Sequence, residues 1–353
     1  MLGLIKLSFW GYVAVTLALT HVTVLCVTLY LHRFQAHRGV TLHPIISHFC
    51  RLWLWLTTGI VTKAWTAIHR KHHAKCETKE DPHSPQIVGL KKVLWQGAEL
   101  YRSEAKDKDT LTRYGVGTPD DWLEKHIYTP HSNKGYLITL IVDIILFGAP
   151  GLTIWAIQMI TIPFLAAGIV NGVGHFYGYR NFPSQDASTN LFPIGILIGG
   201  EELHNNHHAY PASAQFSAKW FEFDIGWQYL KLLSLFGLAK INRRIPKVTI
   251  NKHKKRIDLD TLRAMFQNRY PLMTKYFKMV EQPLKSIPLA FEDSLFVSGM
   301  KSKLLALWTM TAKSNNELLE YLHDWCKQAE DSNIKSLKEF VSYVRSYSPP
   351  TVV

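Results

Sequence analysis

Apolar and polar residues fall along this chain in blocks. Residues 7–31 contain no Asp, Glu, Lys or Arg. At about 1.5 Å per residue, a helix of that length crosses the roughly 30 Å hydrocarbon layer of a membrane. Residues 136–174 hold one formal charge, Asp143, and are interrupted by Gly148-Ala149-Pro150-Gly151. That pattern predicts a helical hairpin of two spans, the first unusually short. Residues 44–66 resemble another span, but only eleven residues separate Arg51 from Lys63, which is too few to cross. Trp53, Trp55 and Trp65 suit the headgroup boundary, so this segment is expected to be interfacial or re-entrant. A shorter apolar run, Leu191 to Gly200, lies too close to polar sequence to span. Beyond residue 250 the chain is polar, and Leu318, Tyr321, Leu322 and Trp325, then Ile334, Leu337, Val341 and Val344, recur at helical spacing. The expected fold is all-α: a polytopic membrane helical protein with a cytoplasmic helical cap. Its expected parts are a membrane domain over 1–250 and a soluble helical extension over 251–353.

The charge balance agrees with a membrane setting. The 353 residues carry a formal net charge of +13, and beside membrane spans this excess points to lipid headgroups rather than nucleic acid. Arg243, Arg244, Lys247, Lys252, Lys254, Lys255 and Arg256 form a run with no acidic residue within it. It suits anionic headgroups better than the phosphates of a CoA thioester. More basic residues follow residue 31 than precede residue 7, which places His32 on the cytoplasmic side. The four cysteines form no CxxC pair, arguing against a disulfide scaffold, a thiolate zinc site and an iron–sulfur cluster. The first apolar stretch is long and lacks a small-residue cleavage pattern, so no cleavable signal peptide is expected.

The chemistry lies in the histidines. Of seventeen, nine form a pattern: His32 and His37 as HxxxxH; His69, His72 and His73 as HxxHH; His175 closing Asn171-Gly172-Val173-Gly174-His175; and His204, His207 and His208 as a second HxxHH. Positions i, i+3 and i+4 share one helix face, so each HxxHH aims three imidazoles in one direction. Five residues carry an ideal α-helix about 140° past a full turn, so His32 and His37 would diverge unless the helix ends there or each serves a different metal. Two crossings within 136–174 return the chain to the side it left, and all four groups can then meet on one membrane face. Nine imidazoles exceed the four ligands that one zinc takes, so two metals are implied. Imidazole accepts several metals; iron is preferred because a site against membrane helices suggests redox chemistry on a lipid. His43, His48, His126, His131, His253 and His323 are read as ordinary polar residues, His21 as facing the bundle, and His83 as part of a turn.

These residues resemble the three histidine boxes of membrane fatty acid desaturases, and the flank Asn171 to Arg180 is similar to the NxxxH element of the acyl-CoA delta-9, stearoyl-CoA-like branch of bacterial type. The resemblance covers roughly residues 7–225. It implies His32, His37, His69, His72, His73, His175, His204, His207 and His208 as ligands of two Fe2+, with Asn171 acting through water. It implies O2 as co-substrate and a cis delta-9 double bond as product. The substrate would be a fatty acyl thioester or membrane lipid. Gly200-Glu201-Glu202-Leu203 departs from the Gly-Glu-Gly-Trp common before the third box, which bears on chain-length and head-group preference. There is no HPGG haem motif, so electrons are expected from a separate ferredoxin, rubredoxin or cytochrome with its reductase. The expected location is a bacterial inner membrane, with metal site and C-terminus cytoplasmic. A di-iron hydroxylase would use nearly the same ligands. A histidine-rich metal transporter would want more ionisable residues within the spans than His21 and Asp143. A haem carrier would want histidine pairs there.

Overall fold

The computed structural model describes residues 3–247, 249–284, 291–310 and 312–349. Contacts divide the chain into two compact units, Met1–Ile245 and Pro246–Val353.

The first unit begins with α1 (Phe9–Cys26), capped by Ser8, whose hydroxyl accepts from the Gly11 N–H at 3.2 Å. Thr16 and Thr20 donate to carbonyls one turn back, at 2.8 and 2.9 Å, so their hydroxyls are paired within the helix itself, as a lipid setting requires. The helix then runs on into a π-helical stretch, Val27–Ala36. Together they make 28 residues, long and apolar enough to cross a membrane. In the wider stretch hydrogen bonds connect residues five apart, as from the His37 N–H to the His32 carbonyl at 3.1 Å.

After β1 (Val40–Leu42) come α2 (Pro44–Thr58) and α3 (Thr62–Lys75). Pro44 opens α2, and Gly59, with φ of 65°, closes it. A β-carbon at Gly59 would lie 2.6 Å from the Ser132 carbonyl oxygen. α2 and α3 meet at 89°, so residues 44–66 form a broken or re-entrant pair. Arg51 does not interrupt α2. It is buried within the helix, donating to both carboxylate oxygens of Asp121 at 2.6 and 2.7 Å and to Glu124 at 3.2 Å. Two hydrogen-bonded carboxylates offset the desolvation of that cation.

Short polar helices follow: α4 (Pro85–Val88), α5 (Leu90–Glu104) and α6 (Lys108–Tyr114). The apolar hairpin is α7 (Gly135–Phe147) and α8 (Ala149–Ile162), turning at Gly148 with φ of 67°. α8 continues through a π stretch to His175, giving a second helix long enough to span; α7 is shorter. Asp143 is buried and accepts from the Gln158 amide at 2.9 Å.

The unit closes with β2 (Ile194–Gly195), α9 (His204–Ala209), β3 (Phe223–Asp224), α10 (Ile225–Leu235) and β4 (Ala239–Ile241). β1 and β4 run antiparallel with Val40 opposite Ile241, and β2 and β3 run parallel with Ile194 opposite Phe223. Arg33 joins these parts. Fully buried, it makes two bonds to Asp224 at 2.8 and 3.0 Å, donates to the carbonyls of Gly199 and Ala214, and lies 3.8 Å over the Phe216 ring. The end of the first span is thereby tied to the loops on both sides of α9.

The second unit holds β5 (Thr249–Ile250), α11 (Leu259–Gln267), α12 (Arg269–Tyr276), α13 (Gln282–Leu284), α14 (Phe291–Leu307), α15 (Asn315–Asp331), α16 (Lys335–Arg345) and β6 (Tyr347–Ser348). β5 pairs antiparallel with β6 and joins the two ends of the unit. Its core, including Leu262, Tyr276, Leu322, Trp325 and Phe340, draws only on residues 257–347. The helical spacing read from the sequence matches burial here: Leu318, Leu322, Trp325, Leu337, Val341 and Val344 point inward. The Tyr276 hydroxyl and Trp325 indole donate to the carbonyls of Val297 and Met300, at 3.0 and 2.8 Å.

Candidate metal centre

Four elements deliver the imidazoles. His32 and His37 come from the π-helical end of the first span, and His69, His72 and His73 from the last two turns of α3. His175 ends the 3-10 turn Val173–His175, and α9 carries His204, His207 and His208. The HxxxxH pair does not diverge. The i to i+5 hydrogen bond stacks His37 above His32, and their rings lie 5.0 Å apart. One possible metal-holding group comprises His32, His37, His69, His73 and His207, with ligand atoms within 4.8 Å of one another; a second comprises His72, Cys76, His175 and His208. His204 joins the second side through its Nε2, 2.9 Å from that of His175. Asn171 is half-buried at the end of the π stretch Pro163–Val170 and lines the same cavity as His32, His69 and His204.

The nitrogens fit a metal better than they fit one another. Nε2 atoms face each other at 2.9 Å between His32 and His207, 2.9 Å between His207 and His73, and 2.8 Å between His37 and His69. Facing lone pairs at that range repel unless a proton or cation lies between them. Imidazole–metal bonds of about 2.0–2.1 Å place two nitrogens at right angles about 2.9 Å apart. Burial, then the neighbouring imidazoles, hold His204, His207 and His208 well below the usual histidine pKa. They are therefore neutral, with a lone pair to offer. The Nε2 atoms of His72 and His208, whose Nδ1 atoms bond carboxylates, are buried without a protein partner. Unpaired buried nitrogens are costly in a protein interior, and metal coordination can satisfy these two.

Carboxylates orient four of the rings from behind. The Nδ1 of His32 meets Glu201 at 2.6 Å, His72 meets Asp81 at 3.0 Å, His208 meets Asp186 at 3.2 Å and His175 meets Glu77 at 3.4 Å. A carboxylate on Nδ1 fixes the proton there and leaves Nε2 free for a metal. None of the four stood out in the sequence. Glu201 and Asp81 lie within nine residues of a histidine box, but nothing in their spacing marks them. His83, read as part of a turn, is buried against His72 with ring centres 4.5 Å apart, and its Nε2 has no partner. Burial and the neighbouring His72 lower its pKa to about 3. Cys76 also lies inside: its sulfur is 4.0 Å from the Nδ1 of His175, and burial pushes its thiol pKa up.

A cavity of about 750 Å3 reaches this centre. Val27, Ile68, Ile162 and Val170 give it apolar walls, while His32, His69, His83 and His204 stand in its lining. Trp65, four residues before His69, lines it too. Its ring stacks on His69 at 4.9 Å and meets His32 edge-on at 5.9 Å.

Helices long enough to cross a membrane and buried histidines able to hold metal beside an apolar cavity fit the class of membrane-bound metal enzymes. The fatty acid desaturase profile matches residues 8–235. The chain is 31% identical over 231 residues to an sn-1 stearoyl-lipid 9-desaturase of Synechocystis, covering 65% of this chain and 70% of that protein. It is 30% identical over 236 residues to an sn-1 stearoyl-lipid 9-desaturase of Anabaena variabilis, covering 65% and 83%. An acyl-CoA 5-desaturase of Anemone leveillei is 32% identical over 219 residues, 60% of this chain and 65% of that one. The chain belongs to the fatty acid desaturase family, and as such it is an oxidoreductase acting on fatty acyl chains.

Proposed function

We propose that this protein introduces a cis delta-9 double bond into saturated acyl chains of membrane lipids or acyl thioesters, at a centre of two irons. The observation that carries the proposal is the convergence of nine imidazoles beside an apolar cavity of acyl-chain character. His32, His37, His69, His72, His73, His175, His204, His207 and His208 would hold the metals, with Asn171 in an outer role through water. Two ferrous ions held there would supply, with O2 and two electrons, the oxidising power to take one hydrogen from each of two adjacent methylenes. With two protons, the balance is one alkene and two waters. The chain's own part is positional: Val27, Ile68, Ile162 and Val170 exclude water, and Trp65 braces His69 and His32.

Both lipid and CoA substrates occur among the relatives' names, and the cavity accepts the acyl part in either case. The electron donor is proposed as a separate ferredoxin, rubredoxin or cytochrome with its reductase. The metal-bearing face is proposed to be cytoplasmic, in a bacterial inner membrane, because the basic residues after the first span outnumber those before it. Residues 251–353 are proposed as a soluble extension without ligands. The test is expression in a host lacking its own desaturase. Cis-monounsaturated C16 or C18 chains should appear, dependent on O2. Hydroxylated chains as the main product would instead make the protein a hydroxylase.

A further inference from the structure

We propose that residues 192–197, residues 220–223 and the end of α10 form a lipid-embedded face, lying in one leaflet beside the first span with bilayer lipid as its partner. Phe192, Ile194, Leu197, Trp220, Phe221 and Phe223 are exposed, Leu197 at 67% and Trp220 at 95%. Pairing of β2 with β3 sets Ile194 opposite Phe223, so the two short segments make one patch. Leu235 and Phe236, at the end of α10 that follows β3, are exposed as well. An apolar surface of this kind marks an interaction site, and neither segment belongs to a helix long enough to span.

Two contacts give its depth. Gly199 packs so closely on the first span that a β-carbon there would meet Thr28 at 2.7 Å and Val24 at 3.2 Å, and the Thr28 hydroxyl donates to the Gly199 carbonyl at 3.3 Å. Further down the same helix, the Tyr229 hydroxyl of α10 lies 3.2 Å from the His21 Nε2. Exposed Phe9 and Trp10 mark the opposite membrane boundary. From there a roughly 30 Å hydrocarbon layer takes about 20 residues of helix, ending near about residue 29. Residues 21–28 therefore lie in the leaflet on the histidine side, and the elements packed beside them share that depth.

The segment's polar atoms are turned inward, as lipid exposure demands. The buried Glu202 carboxylate accepts from the backbone N–H groups of Ile198 and Gly200 at 2.8 and 3.0 Å. The Phe223 N–H donates to the Pro193 carbonyl at 2.8 Å, and Arg33 binds the Gly199 carbonyl at 3.0 Å. These backbone groups face protein while the large side chains face out. His204 follows within a few residues, so lipid contact here fixes the height of α9 above the leaflet.

The experiment places a nitroxide at Leu197→Cys, Trp220→Cys or the exposed polar control Lys79→Cys, in full-length protein in lipid nanodiscs. The unsubstituted chain is the blank for labelling of its own thiols. Collision rates are measured with O2, which concentrates in hydrocarbon, and with a water-soluble nickel chelate. Positions 197 and 220 should meet O2 several-fold more than the chelate, with the reverse at 79. Chelate dominating at 197 and 220 would put the face in water and overturn the proposal. Exclusion of both reagents there would mean that protein, such as a second copy, covers the face, and would overturn it equally.

Discussion

The two units bury polar groups in opposite ways. In Pro246–Val353 the interior is largely apolar, and Tyr276 and Trp325 each donate to a backbone carbonyl, while the Trp308 indole N–H and the Asn268 Oδ1 are scattered exceptions without a protein partner. In Met1–Ile245 a buried histidine cluster has Nε2 atoms that face one another or nothing. The first kind of interior gathers no cluster of unpaired groups among the described residues. The second has donors and spacing that could hold a metal cation. Stability in one unit should therefore rest on packing, and in the other partly on a bound metal.

The comparison breaks most sharply at His207, whose Nε2 contacts both His32 and His73. His207→Ala should abolish unsaturated product and lower bound iron, read by fatty acid analysis and metal content. Normal product would mean the cluster is not the reactive centre. Next in size, Trp325→Ala should destabilise the C-terminal unit by about 3–5 kcal/mol, measured by denaturant unfolding of an isolated 246–353 fragment. Iron bound by the full-length variant should be unchanged. Removing metal with a chelator should then lower the stability of the membrane unit by about 2.7 kcal/mol when free metal had stood at about 100 times its Kd. The same chelator should leave the melting of the 246–353 fragment where it was; a shift there would erase the contrast. The smallest effect belongs to Ser314, whose hydroxyl caps α15 in a reciprocal pair with Glu317. Ser314→Ala should cost about 1 kcal/mol in the fragment, without change in product.

What the sequence made legible follows the range of the interactions. Each HxxHH lies within one or two helical turns, so its shared face could be read directly. So could the buried stripe of α15 and α16, because helical periodicity is local. HxxxxH was legible as a metal pattern but not in geometry, since spacing alone does not say that the helix widens to π form there. The carboxylates at Glu201 and Asp186 were hidden for another reason. Glu201 reaches His32 across 169 positions, and no local pattern encodes that meeting. Asp186 reaches His208 across 22 positions, likewise without a marking motif. Arg51 rightly argued against a straight span over 44–66, but its partners Asp121 and Glu124 could not be read because they lie some seventy residues away.

The bond between Arg33 and Asp224 has a consequence for the order in which the molecule is made. Arg33 leaves the ribosome near the start of synthesis, next to the first ligand, while the carboxylate that neutralises it emerges 191 positions later. A chain halted after Ala209 already has all nine histidines. It would still hold a bare guanidinium in the place where α9 must dock, and such an uncompensated buried charge is strongly unfavourable. Nascent chains at that stage should fail to capture iron even though every ligand has been translated. Closure of the histidine cluster should therefore come late in biosynthesis, through a residue that never touches it.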